Sequence, residues 1–217
     1  MHGFENTLPR CLGHKHAQFD LIAFADASTE AIATSIYLYT KSSANLIMAK
    51  GRLPPIKTKP TMSKMKLDAF TLELRLLNTV STQLRSTIQV KNIYVLMDLE
   101  IALSWIKSWP LGNIGTTIFN RLIEIAKIIQ HLQDSGYRLF FGHVSSEHPP
   151  DVAPRGLDQQ QLECHFWCTE PQFLQELPSV WPYKLFSADE VQLDWSENIP
   201  QVEKSERRRR REEVFVC

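Results

Sequence analysis

From Phe19 to Ala25 the chain reads FDLIAFA, a mostly apolar run of the kind found in a buried strand. Thr34–Thr40 (TSIYLYT) is rich in β-branched and aromatic residues, and Asn45–Ala49 (NLIMA) reads as a third strand. The stretch DASTEAIA between the first two is short and turn-like, so the three form a meander of antiparallel strands. The prolines of GRLPPIKTKP make a loop. Apolar positions at helical spacing then predict a helix over 63–84, with Met65, Phe70, Leu74 and Leu77 among them. Asn92–Met97 (NIYVLM) is apolar enough for a strand covered on both faces, as in parallel sheets. A short helix over 100–108, the loop WPLGNIG and a helix over 116–134 follow, with Gly136 placed to end the last as a C′ glycine. Tyr137–Val144 (YRLFFGHV) is the fifth strand, and SSEHPPDVAPRGL the loop after it. From Gln159 to Pro182 the chain carries aromatics without a clear period, and beyond Ser187 it turns acidic before SERRRRREE. The order β-β-β-α-β-α-α-β-α predicts an α/β fold, a mixed five-stranded sheet flanked by helices.

Charge narrows the partners. Lys+Arg and Asp+Glu are 24 each in 217 residues, so the chain is not a generally basic polyanion binder, and any nucleic-acid contact has to come from a local patch. No apolar run approaches the roughly 20 residues of a membrane span, and the start MHGFENTLPRCLGHKH has no apolar h-region. The four cysteines, at 11, 164, 168 and 217, are scattered as in a reducing compartment. The expectation is an intracellular protein, cytoplasmic or nuclear, not secreted and without a membrane.

Asp26 follows the first strand, Asp98 the fourth, and Asp151 lies just past the fifth. Strand ends are where functional groups converge in α/β sheets. Three carboxylates gathered there repel one another unless cations intervene, and Mg²⁺ or Mn²⁺ on carboxylate oxygens suits in-line attack of water on a phosphodiester. The plainer reading of such aspartates is local: Asp98 lies two residues before a helix and Asp26 starts a turn.

Five blocks in order sharpen the choice: FADAS (24–28), TMSKMKLDAFTL (61–72), MDLEIALSWIK (97–107), VSSEHPPDVAPRGL (144–157) and HFWCTEPQFL…WP (165–182). Together they resemble the ribonuclease H-like region of BEL/Pao-type retrotransposon polyproteins, nematode-like elements in particular, a family also called Pao retrotransposon peptidase. The element order agrees with a ribonuclease H-like fold. The resemblance implies a hydrolase of the endonuclease type that cuts the RNA of an RNA–DNA hybrid with Mg²⁺ or Mn²⁺. It implies Asp26, Asp98 and Asp151 as catalytic metal ligands. The family pattern T-[IM]-P-K-[ML]-E-[LM]-N-A also places a Glu at the start of the first long helix, and here that position is Lys66. Glu73 lies on nearly the same helix face but about 10 Å further along the axis, and Asp68 is turned about 200° away, so neither replaces the missing carboxylate. An ammonium among the aspartates neutralises them and takes the place of one cation. Leu99 and Ser63 depart from the family's hydroxyl and proline as well. Two readings follow: a degenerate or weakened nuclease, and a non-catalytic remnant binding nucleic acid or a protein such as a retroelement polyprotein partner.

Other signals are weaker. His148 sits in the loop before Asp151, where related nucleases place a histidine that aids product release, though this family's pattern has Asn there. Cys164-x3-Cys168 with His143 and His148 upstream matches no closed zinc site well. Asp134-Ser135-Gly136 has the shape of an aspartic-protease turn but ends a long helix. Arginines 207–211 offer phosphate binding or nuclear import, diluted by Glu203, Glu206, Glu212 and Glu213. The expected organisation is a lead-in over 1–17, the ribonuclease H-like domain over 18–158, a trailing segment over 159–182 and a disordered tail over 183–217.

Overall fold

The computed structural model describes residues 18–40, 43–54, 61–98, 100–107, 115–144 and 171–190. Asp151, His148, the four cysteines and the arginine run lie outside them. Six strands form one sheet in the order β3-β2-β1-β4-β5-β6: β1 Gln18–Ala27, β2 Ile32–Thr40, β3 Ser43–Arg52, β4 Gln89–Met97, β5 Arg138–His143 and β6 Leu185–Ser187. β1–β2 and β2–β3 are antiparallel, β1–β4 and β4–β5 parallel, and β6 runs antiparallel to β5. Among the described residues the α-helices are α1 Met62–Leu84, α2 Glu100–Lys107 and α3 Thr116–Asp134. The meander followed by parallel β4 and β5 is the ribonuclease H-like order expected.

The sheet has one strand more than the five expected. β6 falls in the stretch read as a disordered tail, and residues 185–190 are instead paired or in a 3-10 turn. Three apolar-to-mixed residues carry no readable period, so only their packing on β5 reveals them. Gly142 makes room for this edge, because a Cβ there would stand 2.8 Å from Leu185 and 2.9 Å from Leu96.

β1 is covered on both faces, which explains its apolar run. Phe19, Leu21 and Ala23 face the helices, among Leu67, Phe70, Leu74 and Leu77 of α1 and Leu122, Ile125 and Ile129 of α3. Ile22 and Phe24 face the other way, toward Tyr37, Tyr39, Tyr94, Leu174 and Trp181. That second face is covered by 171–190: Tyr39 and the Trp181 indole both donate to the Glu176 carbonyl, at 2.8 and 2.9 Å. Where the β1–β4 register slips between Phe19 and Leu21, the Asp20 carboxylate accepts the Asn92 N–H at 3.0 Å.

Small side chains set the depth of α1. Ala25, Ala27 and Ala69 pack with Ile32, Met65 and Leu72, which brings the first turns of α1 close to the end of β1. Asp68 points to α3, paired with Arg121 at 2.7 Å; Glu124 joins Arg121 and Arg75 in the same network. α3 ends as expected at Gly136 (φ +90°), whose N–H bonds the Gln133 carbonyl while Tyr137 N–H reaches Leu132, the paired bonds of a Schellman motif. Among the described residues no helix is long and apolar enough to cross a membrane.

Candidate functional site

The parallel pairing of β1, β4 and β5 lines up their C-terminal ends. Ala25 pairs with Met97 and Met97 with His143, so Asp26, Asp98 and His143 arrive side by side. Ala25, Asp26, Lys66, Ala69, Phe70, Met97 and Asp98 line one cavity of about 10 Å³, roughly the room of a single water. Asp26 is buried, at 6% exposure.

Lys66 reaches across from the second turn of α1. Its Nζ donates to Asp98 Oδ2 at 2.8 Å and to the Asp98 backbone carbonyl at 2.9 Å. The opposite oxygen, Oδ1, lies 3.2 Å from His143 Nε2, and His143 Nδ1 is 4.0 Å from Glu100 Oε1. Both oxygens of Asp98 are therefore engaged. Burial alone raises the Asp98 carboxyl, but the hydrogen bond and charge of Lys66, followed by those of His143, outweigh it and hold the group below its ordinary value. The sign follows: the pair contributes stability above the unfolded-state pKa and loses it as pH falls through the lowered folded-state value. With Lys66→Met the Asp98 carboxyl is expected to titrate at higher pH, read from its carboxyl carbon by NMR; an unchanged titration would show that Lys66 does not govern it.

Of the site residues inferred from sequence, the structure thus brings Asp26, Asp98 and Lys66 together, while Asp151 and His148 lie outside the described residues. Glu73 is not at the site: it is wholly buried, with no hydrogen-bond partner for either carboxyl oxygen among the described residues, and burial pushes its carboxyl well above the ordinary value. His143 is a neighbour the sequence did not single out here, since it drew notice only beside the cysteines. The readable signal was positional: the last residue of a parallel strand aligned with β4.

Asp26, Asp98 and Lys66, the described residues of the site, do not by themselves fit a pair of divalent cations. Two Mg²⁺ ions acting on one phosphodiester need ligands around centres about 3.5–4 Å apart, each with near-octahedral oxygen coordination. The cavity has the volume of one water, and both oxygens of Asp98 are engaged, one of them by the Lys66 ammonium. Among the described residues no group of three His, Cys, Asp or Glu side chains is arranged to hold a metal.

Residues 1–99 match the family described as Pao retrotransposon-like RNaseH-like domain, which bears out the resemblance over that stretch. Among solved structures, LC11-RNase H1 in complex with RNA/DNA hybrid is 17% identical, with TM-score 0.43, over 58% of this chain and 85% of that one. RNase H1 from the halophilic archaeon Halobacterium salinarum NRC-1 is 10% identical, with TM-score 0.39, over 64% and 90%. The foamy viral protease-reverse transcriptase in complex with dsDNA is 18% identical, with TM-score 0.39, over 60% of this chain and 24% of that one. No curated protein matches the chain.

Proposed function

Since residues 1–99 of the chain match the Pao retrotransposon-like RNaseH-like domain family, we propose that the protein is a nucleic-acid-binding domain of retroelement origin whose ancestral cutting of RNA in RNA–DNA hybrids is weakened or lost. The observation that carries this reading is the Lys66–Asp98 ion pair. It joins an ammonium to a carboxylate that the family's chemistry needs free, at the position where the family carries a further carboxylate. A lysine so placed neutralises one aspartate without metal, so the apo fold no longer needs a cation to relieve repulsion at the strand ends. The folded unit we assign runs from about residue 18 to 190, because 171–190 supply both β6 and the cover of the second sheet face.

The test is cleavage of a labelled RNA–DNA hybrid with Mg²⁺ and then Mn²⁺, using wild type, Asp26→Asn and Lys66→Glu. The expected result is a silent or feeble wild type and faster cutting by Lys66→Glu. Robust wild-type cutting that disappears in Asp26→Asn would overturn the reading and establish an active nuclease. Silence in all three from folded protein leaves the binding role, read by the affinity measurement below.

A further inference from the structure

At the level of Asp26 the sheet continues outward through Ala33 on β2 to Gly51 on β3, the edge strand. Two strand spacings put Gly51 about 10 Å from Asp26. Gly51 is flanked by Lys50 and Arg52, which pair with Thr34 and Ile32 respectively. Ile32 packs with Met65, Ala69 and Leu72, and Thr34 pairs with Ala25 of the same cluster. Cross-strand partners share a face, so Lys50 and Arg52 both lie on the side of the sheet that carries α1. Lys64, two residues before Lys66, is turned about 200° from it, to the side of α1 where Asp68 meets α3. Lys50 and Arg52 are exposed, and neither has an ion-pair partner among the described residues. Contrast Arg75 and Arg121, whose charges are spent between α1 and α3.

We infer that Lys50 and Arg52 form a phosphate track: they hold the backbone of a nucleic-acid duplex that passes from the edge of β3 to the Asp26–Asp98 site. The inference rests on the nucleic-acid reading above and adds where the contact is made. Charge supplies the argument. The strand-end site presents two carboxylates and one ammonium, and that ammonium is committed to Asp98. A phosphodiester chain meets repulsion there, so net attraction has to come from cations close by. These two flank Gly51, two strand spacings or about 10 Å from Asp26, near one Debye length at ordinary salt. Glu30, at the β1–β2 turn, is the acidic residue on the same corner; its carboxylate accepts from Thr29. The contact is to backbone, so it predicts affinity without base sequence preference.

The experiment is the salt dependence of binding between the full chain and a fluorescently labelled RNA–DNA hybrid, followed by anisotropy. Each phosphate contact adds about 0.9 to the slope of log affinity against log salt for a duplex. Removing two cations in Lys50→Ala/Arg52→Ala is expected to flatten the slope by about 1.8, so that wild type loses roughly 12-fold more affinity than the variant between 50 and 200 mM salt. Lys64→Ala, on the side of α1 turned to α3, is expected to leave it unchanged. The conservative exchange Lys50→Arg/Arg52→Lys keeps the wild-type slope, and Lys127→Ala/Arg138→Ala, two exposed cations elsewhere, leaves it unchanged. Thermal melts of each variant confirm folding. Wild-type binding with a slope indifferent to Lys50 and Arg52 would overturn the track while leaving the binding role intact. No wild-type binding even at low salt would overturn both.

Discussion

Replacing Trp181 with alanine is expected to destabilise the fold by about 3–5 kcal/mol, the usual cost of removing a large buried aromatic. Trp181 is 6% exposed and meets Tyr39, Tyr94 and Phe173 with ring centroids 5.9, 5.1 and 5.5 Å apart, all edge-on. Such edge-to-face pairs favour one arrangement over a merely greasy contact. The indole N–H also shares the Glu176 carbonyl with Tyr39. Trp181→Phe keeps most of the packing and loses one hydrogen bond, so it should cost about 1 kcal/mol beyond the small change in volume. Urea unfolding of both variants measures this. A loss below about 1 kcal/mol in Trp181→Ala, well under the range for a core aromatic, would mean that 171–190 is not part of the cooperative unit.

The second large effect has the opposite sign. Glu73→Met is expected to stabilise the protein, increasingly as pH rises. Glu73 is fully buried in α1 with neither oxygen hydrogen-bonded among the described residues. A neutral carboxyl left in that state costs about 1–3 kcal/mol by mutational measure. Burial raises its folded-state pKa well above the ordinary value for a glutamate. Below the unfolded-state pKa the carboxyl is neutral in both states and adds no pH dependence. Above it, the unfolded chain ionises while the folded chain does not, so stability falls by about 1.4 kcal/mol per pH unit until the folded-state carboxyl itself ionises. Methionine removes both costs at similar volume. Melting curves at pH 5, 7 and 8.5 check it: the gap between variant and wild type should widen with pH, and parallel curves would refute the account.

How much was legible depended on whether a residue's neighbours in sequence were also its neighbours in space. β1, α3 and the Gly136 stop were readable because periodicity and turn chemistry are local. Lys66 was readable as a departure only against the family's pattern; that its ammonium lands on Asp98 required the approach of α1 to the end of β1, set by Ala25 and Ala69. β6 and the cover it belongs to were not readable, since LFS has no period and its partner strand lies some forty residues earlier. His143 was missed at the site for a related reason. Its place beside Asp98 comes from the β4–β5 register, which no local signal states. Glu73 could be judged too far along the helix to serve the site, but its complete burial follows from packing on the sheet.

The clasp of Tyr39 and Trp181 on one carbonyl joins positions 137 residues apart in the chain. During synthesis the strands of the meander emerge early and the segment from 171 to 190 emerges late. Until it does, Tyr37, Tyr39 and Tyr94 present an aromatic sheet surface to the ribosome exit and to other chains. Such long-range closure is slow to form and leaves its precursor prone to association. A chain cut between residues 144 and 171 would therefore part the sheet from the segment that covers its second face and adds its sixth strand.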